Sequence, residues 1–308
     1  MENRIEKALG LIEAKPYLAT MGANTVAARY GYSKQEILEA KKLFYKKRSE
    51  KRDVKILIFD IETAPMKAYV WKRWKENVSL EQTISEWFMI CWSAKWLGSE
   101  EVFHECITPD EVLVEDDRRI TEGLWKLFNE ADIIVAHNGK KFDIPKMNSR
   151  FIIHKLPPCS PYQQIDTCEI SKKVFGFSSN KLDALATYFG IPNKDKTDFE
   201  LWKACLEGNQ KALDYMLQYN INDVLILEKV YLRLRPWMPH HPNVGLYKEA
   251  NKPVCPVCGS THMEVTPDHA YTYASKFQVL RCTDCGALAR VRFNSYSKDK
   301  KKSLVLSV

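Results

Sequence analysis

The sequence predicts a layered α/β domain preceded by a short helical segment and followed by a small cysteine-bearing β module. Three observations predict it. Between residues 54 and 236, apolar runs of strand length alternate with amphipathic helical stretches. Residues 1–53 carry helical patterning only. After residue 250, two CxxC pairs lie among short β-like runs.

The N-terminal segment centres on TVAARYGYSKQEILEAKKLFYKKR. Ala27, Gly31 and Ile37 have the spacing of a helix-turn-helix: a small residue at a close approach, a left-handed turn, and an apolar anchor on the second helix. Ser33 and Glu36 form a capping box for that helix. The segment resembles the helix-turn-helix family; a plain helical hairpin docked on the main domain fits it equally well. The run KKLFYKKRSEKR reads as a helix end or basic linker. In the α/β domain, VKILIFDIE is a buried strand. ISEWFMICWSAKWLG and EEVFHECIT read as two neighbouring antiparallel strands. RITEGLWKLFNE is an amphipathic helix and ADIIVAH the next strand. IPKMNSRFIIHK is a helix that tolerates Pro145 in its first turn. NKLDALATYFG is a helix closed by Gly190. DFELWKACLEGNQKALDYMLQYNINDVLILEKVYLRL is helical with a break at Gly208. The linker MPHHPNVG leads to a module spanning residues 250–308, in which AYTYASKFQVLRC and ALARVRF are β-like and SKDKKKS is a mobile basic stretch.

With 45% hydrophobic and 28% charged residues, the composition is that of an ordinary globular protein, which argues against a disordered or fibrous chain. No apolar run is long enough for a membrane helix, and the charged N-terminus lacks a signal-peptide core. Five single cysteines and two CxxC pairs are not a secreted disulfide framework. The expected location is the cytoplasm, or the host cytoplasm if the chain is phage-encoded. The net charge of +7 divides into +5 over residues 1–54, −3 over 55–235 and +5 over 236–308. A mildly acidic centre between basic flanks suits a carboxylate-based site served by phosphate-binding arms, although surplus lysines also simply aid solubility.

Three short motifs carry the chemistry. In FDIET, residues two apart on a strand share a face, so Asp60 and Glu62 project together from its C-terminal end. Two carboxylates so placed repel each other unless a cation lies between them. In HNGKKFD, the strand IIVA delivers a polar turn, and Asp143 follows in the first turn of a helix, where the dipole favours an acid. In YNIND, residues four apart on a helix put Tyr219 beside Asp223. Each motif alone has a plain structural explanation. Together, in this order and context, they resemble the DnaQ-like 3′→5′ exonuclease superfamily, and within it the tyrosine branch that includes polymerase proofreading domains.

The resemblance spans residues 54–236 and implies an RNase H-like fold. It implies two Mg²⁺ or Mn²⁺ ions held by Asp60, Glu62, Asp143 and Asp223. Asp60 would bridge the ions, Asp143 would act through water, and Tyr219 would orient the attacking water. Asn138, Phe142 and Thr63 occupy positions that contact the terminal nucleotide in such enzymes. Two other readings stay open: an RNA 3′ exonuclease or structure-specific nuclease, and a non-catalytic nucleic-acid-binding protein that keeps the fold as a scaffold.

Cys255, Cys258, Cys282 and Cys285 form CxxC-x23-CxxC, with a glycine after each second cysteine. Two thiolate knuckles of this kind hold one structural Zn²⁺ tetrahedrally. The module resembles a zinc ribbon. Its arginines and aromatics (Arg281, Arg290, Arg292, Tyr271, Tyr273, Phe277, Phe293) suit single-stranded nucleic acid, with a protein-docking role as the rival. The expected partners are nucleic acid, foremost a single-stranded DNA 3′ end, and a replication or transcription protein; a membrane is not among them.

Overall fold

The computed structural model of the chain describes residues 2–49, 53–192 and 197–306. The chain divides into two compact units, Met1–Glu50 with Lys55–Tyr231, and Lys51–Val54 with Leu232–Val308. No described helix is long and apolar enough to cross a membrane.

The first unit opens with three helices, α1 (Glu2–Ala14), α2 (Ala23–Tyr30) and α3 (Lys34–Ser49). They enclose a small core of their own, including Ala8, Ile12, Leu18, Val26, Ile37 and Ala40. The turn between α2 and α3 has the expected chemistry. Gly31 is left-handed at φ +72°. The Ser33 hydroxyl accepts from the Glu36 N–H at 3.1 Å, and the Glu36 carboxylate accepts from the Ser33 N–H at 2.7 Å. Ala27 and Ile37 are buried in the helical core, and Tyr17 packs edge-on against Trp125 of the α/β domain at 6.2 Å. The basic run after Lys41 continues α3 as far as Ser49; residues 50–52 of that run lie outside the described residues.

The α/β domain follows in the order β1 (Ile56–Thr63), β2 (Lys67–Ala68), β3 (Thr83–Ser85), β4 (Met89–Trp96), β5 (Val102–Cys106), α4 (Pro109–Leu113), α5 (Arg118–Glu130), β6 (Ile133–Ala136), α6 (Asp143–Ile153), β7 (Gln163–Asp166), α7 (Thr167–Val174), α8 (Leu182–Tyr188), α9 (Phe199–Leu206) and α10 (Gln210–Leu234). Five strands form one mixed sheet in the order β5-β4-β1-β6-β7. β4 runs antiparallel to both β1 and β5, whereas β1, β6 and β7 are parallel. β1 is central, which explains its continuous run of fully buried residues from Leu57 to Phe59. Its neighbours pack with α5 and α6 into the main core, where Phe128 meets Phe59 and Phe151 edge-on at 4.8 and 5.7 Å.

Two expectations change in detail. ISEWFMICWSAKWLG is not one strand: Thr83–Ser85 pairs with Lys67–Ala68 in a separate two-stranded ribbon, and only Met89–Trp96 enters the main sheet. The long C-terminal helical stretch breaks where expected, at left-handed Gly208, into α9 and α10. β7 and α7 carry no clear sequence signal. QQID is too short for a period to register, and TCEISKKV has few apolar residues.

In the second unit, β8 (Met263–Thr272), β9 (Ser275–Cys282) and β10 (Leu288–Arg290) form an antiparallel sheet in the order β10-β9-β8. SKDKKKS, expected to be mobile, instead contains the short helix α11 (Lys298–Lys302), because the Ser297 hydroxyl caps it by accepting from the Lys300 N–H at 3.1 Å.

Candidate functional site

β1 delivers Asp60 and Glu62 to one face at its C-terminal end, as a period of two requires. The central helix α10 brings Asp223 to meet them. One carboxylate oxygen from each of the three can be drawn within 4.8 Å of the others. Asp143 lies outside that triad but acts on it electrostatically. It begins α6 and is almost wholly buried. Burial and neighbouring charge raise the pKa values of Asp60 and Glu62, and burial raises that of Asp143. Burial pushes Asp60 well above the usual carboxylate range, and the charges of Asp143, Glu62 and Asp223 add to it. Burial, with Asp223 and Asp143, raises Glu62 to about 8. Burial raises Asp143 to about 7 against the partial relief of backbone hydrogen bonds at Asp143 and Ile61. Such a cluster is unfavourable when fully ionised and all-oxygen in its donors, which fits a hard divalent cation.

Tyr219 stands one helical turn before Asp223 and hydrogen-bonds to its carboxylate. Burial, then the Asp223 charge and that hydrogen bond, pushes the phenol above its ordinary value. It therefore stays protonated at neutral pH, donates to Asp223, and keeps its oxygen lone pairs as acceptors.

Three supporting residues escaped the sequence reading. Asn220, fully buried beside Tyr219, donates from Nδ2 to Asp60 Oδ2 at 2.7 Å. Its Oδ1 is buried without a partner. Asp166 ends β7 and accepts four backbone N–H groups: Asn138 at 2.9 Å, Lys140 at 3.2 Å, Cys168 at 3.0 Å and Glu169 at 3.1 Å. One carboxylate thus caps α7 and pins the loop between β6 and α6. His137 does the same from the other side, with Nδ1 2.9 Å from Thr167 Oγ1 and Nε2 2.9 Å from the Asn180 carbonyl. Its place in a polar turn of the sequence gives no sign of these two contacts. The only local signal for Asp166 was an acid three residues before Glu169, in a capping position.

The pinned loop has strained geometry. Asn138 is left-handed at φ +66°. A Cβ at Gly139 would lie 2.3 Å from the Ala136 Cβ, so only glycine lets the turn close over β6. Phe142, which could have been a core residue, is 42% exposed, and the Lys146 ammonium lies 5.1 Å from its ring. Thr63, the residue after Glu62, borders a cleft of about 540 Å³ that Lys146 also lines. A separate depression of about 450 Å³ is lined by Asn138, Lys140, Lys141, Lys172 and Lys173 together with Asp166 and Glu169. Those lysines offer contacts for a phosphate backbone.

In the second unit, Cys255, Cys258, Cys282 and Cys285 converge with their sulfurs within 4.8 Å of one another. The Cys255–Cys285 and Cys258–Cys282 separations are 3.7 and 3.6 Å. That is far beyond a disulfide bond of about 2.05 Å. It matches the edge of a tetrahedron with metal–sulfur bonds of about 2.3 Å. Each knuckle closes on the glycine after its second cysteine: Gly259 and Gly286 are left-handed, and their N–H groups donate to the carbonyls of Cys255 and Cys282 at 3.0 and 2.9 Å. Of the aromatics in this module, Phe277 is core, with the Arg290 guanidinium 4.0 Å from its ring centroid, whereas Tyr271, Tyr273 and Phe293 are exposed.

A search of curated proteins returns no match. Among solved structures, the chain is similar to the family B DNA polymerase from the hyperthermophilic archaeon Pyrobaculum calidifontis, with a TM-score of 0.46 and 17% identity over 60% of this chain; the match spans 25% of the polymerase. Residues 99–235, which include Asp143, Tyr219 and Asp223 but not Asp60 or Glu62, match the RNase_H_2 family, described as RNase_H superfamily. The mixed five-stranded sheet flanked by helices, with that superfamily match across its second half, is an RNase H-like fold.

Proposed function

We propose that the chain is a metal-dependent 3′→5′ exonuclease of the tyrosine branch, acting on single-stranded DNA ends. One observation carries the reading: Asp60, Glu62 and Asp223 come from two elements to within 4.8 Å of one another, with Tyr219 bonded to the third. Asp60, Glu62 and Asp223 would hold the cations, Asp143 supporting them from α6. When bound, a pair of Mg²⁺ or Mn²⁺ ions would activate water and stabilise the leaving 3′ oxygen.

This chain's own residues do the rest. Asn220 fixes the Asp60 carboxylate in one orientation. Tyr219, kept protonated, accepts a hydrogen bond from the attacking water and positions it without removing its proton. Asn138, Phe142 and Thr63 border the place where a terminal nucleotide would lie, and the lysines beside Asn138 would meet its phosphates. In the second unit, Cys255, Cys258, Cys282 and Cys285 would hold one structural Zn²⁺, with no open coordination position and no part in the chemistry.

The deciding experiment is cleavage of 5′-labelled single-stranded DNA and matched RNA with Mg²⁺, Mn²⁺ or chelator, beside Asp60→Ala and Asp223→Ala. The expected result is a metal-dependent ladder shortening from the 3′ end and absent in both variants. Tyr219→Phe should slow cleavage about tenfold to a hundredfold while metal still binds. Normal cleavage by Asp223→Ala would overturn the assignment. RNA cleaved in preference to DNA would keep the mechanism and change the substrate.

A further inference from the structure

Directly after Thr63 the chain leaves the main sheet, makes the β2–β3 hairpin and returns at β4. The stem of this hairpin is well tied. Tyr69 N–H donates to the Gln82 carbonyl at 2.9 Å, and Gln82 Nε2 returns a bond to the Tyr69 carbonyl at 3.1 Å. Lys67 pairs with Glu115 at 2.9 Å, fixing the hairpin's foot. The tip reads YVWKRWKENV. Its apolar side chains do not fold back: Trp71 is 93% exposed and Trp74 81% exposed, and Tyr69 and Leu80 are exposed as well. Lys72, Arg73 and Lys75 lie among them. Large aromatics kept in water on an ordered stem are unfavourable for the isolated chain and mark a binding surface.

The foot of the hairpin is a wall of the cleft that Thr63, directly after Glu62, borders. Met66 and Trp87, on either side of the hairpin, line that cleft together with Thr63, Lys146, Phe199 and Trp202. Lys146 sits 3.6 Å from the Trp87 ring centroid and 5.1 Å from that of Phe142. Rings and cations thus run from Phe142 at the start of α6, through Lys146 and Trp87, to the base of the hairpin. Alternating aromatic and basic side chains match the alternating bases and phosphates of a single strand, whatever its sequence. A protein partner would account for the exposed tryptophans but not for three cations between and beside them.

We propose that the β2–β3 hairpin is a single-strand-binding arm, on which Trp71 and Trp74 stack nucleobases while Lys72, Arg73 and Lys75 meet the phosphates. The inference rests on the nuclease reading for its substrate class and not for its test. The arm gives the site a grip on the strand several nucleotides from the end being cut.

Binding separates the two claims. In an Asp60→Ala background without chelator, dodecamers of thymidylate and of uridylate are titrated against the full chain, with a trimer of each as the short comparison. Tryptophan fluorescence and anisotropy of the labelled strand are the readouts. The dodecamers should bind tighter than the trimers and quench tryptophan emission. Trp71→Ala with Trp74→Ala should weaken dodecamer binding at least about tenfold and remove most of that length dependence. Trp71→Phe with Trp74→Phe should restore most of it, which loss of folding would not allow. Dodecamer affinity unchanged within about twofold in the double alanine variant would overturn the arm, as would a change confined to self-association of the chain. If the unmodified chain cleaves no strand while the tryptophan-dependent binding persists, the arm stands and the nuclease reading falls.

Discussion

At the scale of single residues, the candidate site consists of buried acids, Asp60, Glu62 and Asp143 with raised pKa values, and neighbours that orient them. Asn220 holds Asp60 from inside the helix that carries Asp223. Removing such an orienting partner commonly lowers metal affinity or activity about tenfold to a hundredfold. Asn220→Ala should therefore weaken Mn²⁺ binding and slow cleavage by about that factor, measured by calorimetry and steady-state rates, while the helix content is kept. Glu62 carries a pH signature. Its folded pKa, about 8, exceeds the unfolded value of 4.5, so the folded chain holds the proton over that interval and the unfolded chain does not. Stability from this group is thus fully present below the unfolded value and is lost as the pH rises toward 8. Metal-free protein should melt at lower temperature as the pH climbs through this window. Glu62→Gln should flatten that slope and Mn²⁺ should reverse it. A wild-type slope identical to that of Glu62→Gln would show that Glu62 is ionised throughout.

At the scale of elements, two links hold the segments of the candidate site in register. Asp166 collects four backbone N–H groups from α7 and from the loop ahead of Asp143. Losing a helix cap alone costs about 1 kcal/mol, and here two loop donors are orphaned as well. Asp166→Ala should lower stability by about 2–4 kcal/mol in denaturant titrations and reduce cleavage even where the protein is fully folded. Lys95 on β4 pairs with Glu228 on α10, and Glu228 also accepts the Gly98 N–H at 3.0 Å; both side chains are nearly buried. This tie runs between the sheet and the helix that presents Tyr219 and Asp223. Removing one partner of a buried pair costs about 3–5 kcal/mol because the other charge is left without compensation. Glu228→Ala should be the more damaging of the two substitutions to stability and the less specific in its effect on cleavage.

At the scale of the whole molecule, each unit has its own source of stability. The first unit rests on the apolar core under its sheet. In the second, Val257, Ala287 and the buried cysteines form a small cluster of their own. With so small a cluster around the cysteines, a metal held there would supply much of the folding free energy of the knuckles. Metal analysis should find about one zinc per chain. Cys258→Ser should lose that zinc and render residues 232–308 sensitive to protease, while Mn²⁺ binding by the carboxylates persists. Full zinc retention by Cys258→Ser would contradict the four-thiolate site.

Much of this protein was legible in the linear order of its residues, because the rules involved are local. A strand period of two aligned Asp60 with Glu62, and a helical repeat near four set Tyr219 beside Asp223. The turn glycines 259 and 286 follow from CxxC knuckles, and the capping box at Ser33 and Glu36 needs only a three-residue spacing. The mixed α/β layering followed from apolar runs that bury themselves in regular alternation. Tertiary structure alone decided what depends on distance through the chain. The Asn220–Asp60 bond joins residues 160 apart, and the Lys95–Glu228 pair joins residues 133 apart. Neither has a periodicity to announce it. Asp166 looked like one more acid until folding brought four amide groups to it. Nothing in the linear order of residues sets the tryptophans at 71 and 74 apart. Only the fold shows them left in water, because the main sheet is complete without them and the hairpin stem holds its tip away from the core.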